Sequence, residues 1–375
     1  MRHWAKGLLA ASILLGFGSA SAGSLVPHVS AAAALTASQT KMQQQLTNAL
    51  NQRLDSYTIS YSGTKASLKT DVDKALEAAM AANDYLHYIV KSYATTATFK
   101  GNAATVVFKF TYWESLEQTK LVQQRVTKVL SNIVSKSMND HQKAKAIHDW
   151  IVANLAYDTK LVSHSAYDGL FKGSTVCQGY ALLTYEMMKQ AGIPVRIVEG
   201  TSRGQAHAWN LIQLGGQWYH IDTTWDDPVP NVAGRVTYNY YNVTDTQLRA
   251  DHAWKSADYP KAVTAYEQTL QKLAASDKSR SAFYTNLYNT MGYIYLTDAY
   301  TVTSVQGLID KITAAASQGQ KTLTFRYTRG STVTADLKKA LAAQTNLSKF
   351  SYTTESYSRT PSSTDKLIRL TLVYA

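Results

Sequence analysis

A single cysteine, Cys177, in 375 residues excludes an internal disulfide framework and leaves one thiol that is either buried and inert or kept for reactivity. Acidic residues are few, 26 against 38 lysines and arginines, so the formal net charge is +12. For a chain outside the cell this basic balance points to anionic envelope polymers or lipid head groups more than to nucleic acid, while the dispersal of the basic residues, with no dense block, fits a generic solubility role equally well. Loss of Arg2 and Lys6 with the leader described below leaves the chain basic. One cysteine with scattered histidines lacks zinc spacing, and Asp226 and Asp227 fall short of a calcium loop, so no metal and no cofactor are expected. Apolar runs of spanning length are missing after the N-terminus, so no transmembrane anchor is expected either.

What the N-terminus does have is "MRHWAKGLLAASILLGFGSASAGS". A basic start, an apolar run to about Phe17 and the small-x-small triplet Ala20, Ser21, Ala22 predict a signal peptide over 1–22, cleaved near Ala22. The expected protein is therefore secreted, extracellular or associated with the cell wall, with a linker over 23–37.

The length exceeds one ordinary core, and the chain repeats itself. "TDVDKAL" in the stretch 57–113 matches "TADLKKAL" in 322–374, and "VVFKFTY" matches "LIRLTLVY". Tyr57, Ile59 and Tyr61 alternate as a strand, while Leu68, Val72, Ala75, Leu76 and Ala79 recur at helical spacing. Val106, Phe108, Phe110 and Tyr112 form a second alternating face, echoed by Ile368, Leu370, Leu372 and Tyr374. With helices expected upstream, around Lys41–Leu54 and Ser304–Ser317, each copy reads as an α-β-α-β-β module. The copies, 38–113 and 301–375, flank a central domain over 114–260, followed by a connector over 261–300. Neither copy holds a cluster of His, Asp or Glu that looks like a site, so both read as scaffold or docking modules.

The chemistry lies in the centre. "NDHQKAKAIHDWIVANL" is an amphipathic helix with Ala144, Ile147, Ile151 and Leu155 inward, and His148 reads as a packed helix residue. Ser174 or Thr175 is expected to cap a helix from about Val176 to Ala191 that stops at Gly192 before Pro194. Cys177 then falls in the first turn, where amide N–H groups and the helix dipole favour a thiolate. Gly179, one turn along, is expected to let a substrate backbone approach.

Gly215 and Gly216 mark a tight hairpin between "QAHAWNLIQL" and "QWYHIDTTW". A two- or four-residue loop sets Trp209 opposite Asp222 and His207 opposite Thr224. His207 and Asp222 then become diagonal neighbours on one face, with Cβ atoms roughly 7 Å apart. Alone, His207 would be an ordinary strand histidine and Asp222 a turn cap. With the only cysteine at a helix start they form a constellation: Cys177 as nucleophile, His207 as base, Asp222 as the group that orients the imidazole. His220 shares the face without an evident acidic partner. The Cys177 amide can donate to an oxyanion, and Gln178, Trp150, Tyr157 and Tyr167 are candidates for a second donor.

"KAKAIHDWIVANLAYD", "YDGLFKGSTVCQGYALLTYEMMKQAGIPVRIVEG", "AHAWNLIQLGGQWYHIDTTWDDP" and "YNYYNVTDTQLRADHAW" together resemble the transglutaminase-like superfamily of papain-type thiol enzymes, over roughly residues 120–260. The resemblance implies an α+β fold with the cysteine helix packed on an antiparallel sheet. It makes Cys177, His207 and Asp222 a catalytic triad, and it places Trp209 and Trp225 beside it as aromatic walls and, with Gln178, as oxyanion or substrate contacts. It implies a protein or peptide substrate and acyl transfer on amide bonds through a thioester on Cys177, with peptide or amide hydrolysis as the alternative. A silent envelope scaffold is the reading from another class.

Overall fold

The computed structural model describes residues 35–100, 103–345, 347–360 and 362–374, together with the backbone of 12–19. Most of the expected leader, including the cleavage region near Ala22, lies outside the described residues. Within it, Ser12–Ser19 runs as a strand antiparallel to Val90–Lys100. The chain divides into two units, Met1–Val263 and Thr264–Ala375.

In the first unit the helix Ala37–Asn51 starts ahead of the apolar pattern because Thr36 and Gln39 close a reciprocal capping box in front of it. Met42, Leu46 and Leu50 of this helix and Val72, Leu76 and Met80 of Leu68–Ala81 are buried. So are alternate residues of two strands: Ile59 and Tyr61 of Ser56–Tyr61, and Val106, Phe108 and Phe110 of Ala103–Tyr112. Period two on the strands and about 3.6 on the helices thus give one two-layer core. Asp84 fixes this layer to the centre: its carboxylate accepts from Arg196 Nε at 2.8 Å and from the Ile197 amide at 2.9 Å. Glu114 does the same for the following helices, accepting from Tyr85 Oη and Thr119 Oγ1 at 2.8 Å each and from the Tyr167 amide at 3.1 Å.

The centre is built around the helix Cys177–Gln190, buried on nearly every side. It packs on a five-stranded antiparallel sheet ordered Tyr241–Val243, Gln217–Ile221, Gln205–Leu214, Val195–Ser202, His252–Trp254. Asn210 Nδ2 donates to the Ala181 carbonyl at 3.0 Å and ties the central strand to that helix. Asn139 and Gln142 form a capping box that starts the helix Asp140–Asn154, whose Ala144, Ile147 and Ile151 are buried as the pattern requires.

In the second unit, helices Tyr266–Ser276 and Ser281–Thr290 precede a four-stranded sheet ordered Thr301–Val302, Thr322–Tyr327, Lys366–Tyr374, Leu347–Ser356. Helices Val305–Ser317 and Val333–Ala342 pack on it over a core of Leu308, Ile312, Phe325, Leu337, Ile368 and Leu370. The order from Val305 to Tyr374 is α-β-α-β-β, and residues 37–112 differ from it by the additional short helix Asp84–Ile89. Tyr61 Oη donates to Asp71 at 2.7 Å, and Tyr327 Oη to Asp336 at 2.8 Å.

Candidate active site

The helix carrying Cys177 starts without a side-chain cap: Val176 occupies the cap position and makes no such bond. The expected caps are used elsewhere. Ser174–Thr175 pairs as a short strand with Ala156–Tyr157, and Thr175 Oγ1 donates to the carbonyls of Ser163 and Ser165 at 3.1 and 3.2 Å. The first-turn amides, that of Cys177 among them, are therefore not taken up by a cap, which suits an oxyanion site. Gly179 serves the fold and not a substrate. A Cβ there would lie 1.9 Å from Thr175 Oγ1 and 2.7 Å from the Ser165 carbonyl oxygen, so glycine lets the cysteine helix seat on the preceding loop. Gly179→Ala is expected to destabilise the protein by about 1–3 kcal/mol, read from the denaturant midpoint at constant slope.

The hairpin is the two-residue form. Leu214 pairs with Gln217 around Gly215 and Gly216, whose φ of +56° and +80° suit a primed turn. Leu211 faces His220 and Asn210 faces Ile221. One residue beyond the ladder, Asp222 Oδ2 accepts from His207 Nε2 at 2.6 Å. Its Oδ1 accepts from the backbone N–H groups of Thr224 and Trp225 at 3.0 and 3.1 Å, which fixes the carboxylate. Because Nε2 is engaged by Asp222, Nδ1 is the nitrogen left for the cysteine, whose side chain lies close enough to perturb the ring. Burial alone would lower the imidazole, but the charge and hydrogen bond of Asp222, aided by Cys177, outweigh it and push His207 up to about 10. Burial would raise Asp222, yet the charge of His207 and the hydrogen bonds from His207 and His252 hold it well below the usual carboxylate range.

His252 extends the constellation. Its Nε2 lies 3.1 Å from Asp222 Oδ2 and its Nδ1 2.6 Å from Asp251 Oδ1, and Asp251 in turn accepts from Tyr240 Oη at 2.5 Å. Burial disfavours its charged form, but the two carboxylates raise it above its ordinary value. The sequence reading missed this residue. Its position depends on His252–Trp254 pairing with Val195–Ser202, with His252 opposite Ser202, and the stretch "DHAW" says nothing of which strand it will join. His207, Asp222 and His252 bring ligand-type atoms within 4.8 Å of one another, but these atoms face one another in the hydrogen bonds just described.

Cys177, 9% exposed, and His207 line a cleft of about 840 Å³ with Tyr157, Arg203, Trp225 and Asp227. Of the expected contacts, Trp225 is in the cleft wall. Its ring stands edge-on to His207 at 6.2 Å and carries the Arg203 guanidinium 4.1 Å above its face. Trp209 is not in the wall: it is buried, stacks on His207 at 5.8 Å and donates from Nε1 to His220 Nδ1 at 3.0 Å. Gln178 is also absent from the wall, because its side-chain amide donates to the Tyr88 carbonyl, a partner supplied by the N-terminal layer. Among the other donor candidates, Tyr157 lines the cleft and its phenol is raised, by burial first and then by the neighbouring Cys177. Trp150 and Tyr167 are not in the wall, and Tyr167 stacks on Phe171 at 4.6 Å. His220 does have an acidic partner, Asp245 Oδ1 at 2.9 Å, brought in by the helix Asp245–Leu248. His148 is buried between Asp226 and Asp149.

Residues 127–223 match the sequence model of the transglutaminase-like superfamily, so the chain contains a transglutaminase-like domain. It is 25% identical over 177 residues to the kyphoscoliosis peptidase of Mus musculus, covering 40% of this chain and 27% of that protein. It is 27% identical over 170 residues to the kyphoscoliosis peptidase of Homo sapiens, covering 38% and 26%. The chain thus spans about a quarter of the length of these relatives. A solved structure of calcium-bound LapG from Legionella pneumophila shares 12% identity with a TM-score of 0.27, covering 40% of this chain and 91% of that one.

Proposed function

We propose that this transglutaminase-like domain is a thiol enzyme acting on amide bonds of proteins or peptides, with Cys177 as nucleophile, His207 as proton carrier and Asp222 as its orienting acid. The observation that carries the reading is His207, held through Nε2 by Asp222 and sharing the wall of the cleft with Cys177, which perturbs its ring. The Cys177 sulfur attacks the amide carbonyl carbon, and its negative oxygen is met by first-turn amides. The His207 imidazolium then gives its proton to the leaving nitrogen as the C–N bond breaks, which leaves an acyl-thioester and a neutral imidazole. In the second half, His207 takes a proton from the attacking water or amine, and the thiolate departs. Transfer to an amine is the reading we favour, with hydrolysis as its rival on the same intermediate. The basic, apolar leader sequence supports export and work in the cell envelope.

Incubation with a glutamine-containing peptide and a labelled primary amine separates the outcomes. Ammonia release with label incorporation is the expected result. Ammonia or new peptide termini without label assign hydrolysis, and no acyl adduct on Cys177 by mass spectrometry under any condition removes the enzymatic reading.

A further inference from the structure

The stretch "DTTWDDP" holds three carboxylates, and the fold gives them unequal company. Asp222 accepts from two imidazoles, and Asp226 Oδ2 lies 3.1 Å from His148 Nε2. Asp227 has no such partner. Its Oδ2 accepts from the Tyr180 phenol, its Oδ1 has no hydrogen-bond partner, and among the described residues no Lys, Arg or His forms an ion pair with it. Yet Asp227 is only 4% exposed and lines the cleft shared with Cys177. Tyr180 stands three residues along the helix that starts at Cys177, so the carboxylate is anchored to the helix that carries the sulfur. Burial pushes Asp227 up to about 6, against the single hydrogen bond from Tyr180, so at neutral pH it is mostly ionised.

A buried carboxylate without a counter-charge is unfavourable, and the two neighbouring acids show how this fold normally resolves that cost. Arg203, in the same wall, is occupied over the Trp225 ring and lies within 3.4 Å of Tyr240 Oη and 3.5 Å of Asp251. The missing positive charge is then to be brought by whatever enters the cleft. We propose that Asp227 is the binding group for a primary ammonium carried by the substrate. The ammonium is that of a lysine side chain or that of a peptide's amino terminus, which share one chemistry. This inference rests on the cleft being the active site and names the class of substrate it takes. Asp227 binds and orients, and no proton transfer is assigned to it.

Protection of Cys177 from iodoacetamide, followed by mass in the full-length protein at pH 7, tests this without turnover. Nα-acetyl-lysine amide and alanyl-alanine amide present the two ammonium sources, and their fully acetylated forms are the neutral counterparts. At least one charged probe is expected to protect at about tenfold lower concentration than its acetylated form, and the probe that does so identifies the source. In Asp227→Asn the advantage falls to about twofold or less. Should that variant not fold, the same comparison in the wild type at pH 5 replaces it. There Asp227 protonates and the advantage is lost, whereas His207, at about 10, keeps its charge. Equal protection by charged and acetylated probes, or an advantage that survives both in Asp227→Asn and at pH 5, overturns the proposal. Alkylation that is insensitive to His207→Ala instead removes the catalytic reading while leaving the protection comparison readable, so the two failures are distinct.

Discussion

His207→Ala lowers the alkylation rate of Cys177 by iodoacetamide at pH 7 by about tenfold, and lowers turnover of an amide substrate by about 10²–10⁴-fold. The first effect follows from the loss of the group that handles the proton of the attacking sulfur. The second effect is larger, because His207 also delivers the proton that lets the leaving nitrogen depart. His252→Gln, by contrast, leaves Cys177, His207 and Asp222 in place and is expected to change alkylation by less than threefold or so. An alkylation rate that is equal in wild type and His207→Ala, with Cys177→Ala unlabelled as control, would show that the sulfur and the imidazole do not act together.

How far the site could be read in advance depended on the reach of each interaction. His207 and Asp222 are joined by one hairpin, and two glycines with positive φ leave one loop length and hence one set of facing residues. Residues fifteen apart were therefore readable as neighbours. The cysteine helix was equally legible in its body and its stop at Gly192, φ +82°, but not in its start, because whether Thr175 caps it is decided by the carbonyls of Ser163 and Ser165 in a loop. Gln178 failed as a cleft contact for a longer-range reason: its partner, Tyr88, belongs to a layer whose docking leaves no periodic trace. Trp209 shares the alternating face of His207, and period two alone cannot tell a wall from a backing. Trp254, at 5.8 Å and nearly perpendicular, and His252, at 5.1 Å, cover it from an edge strand three residues long. Strands that short carry too little alternation to be recognised.

Asp222→Ala is expected to cost about 3–5 kcal/mol of stability besides abolishing turnover, because the carboxylate is buried and accepts from His207, His252 and the amides of Thr224 and Trp225. Its removal leaves two imidazoles and two backbone donors without their acceptor. The pH dependence distinguishes this from a simple packing defect. Asp222 is held below its ordinary value, so its contribution is present above about pH 3.9 and is lost as pH falls through the folded value. His207 is raised to about 10, so its contribution is fully present below about pH 6.5 and is lost as pH rises through 10. The wild-type melting temperature should therefore form a plateau between these limits and fall on both sides, and Asp222→Ala should be lower throughout with both slopes flattened. Asp222→Asn should lie between them, since one amide oxygen can replace part of the acceptor set while its NH2 group confronts donors. Melts from pH 3 to pH 10 decide the matter: an Asp222→Ala curve parallel to the wild type would mean that the imidazole and carboxylate do not titrate as a pair, and the proton carrier assigned to this cleft would have to be another group.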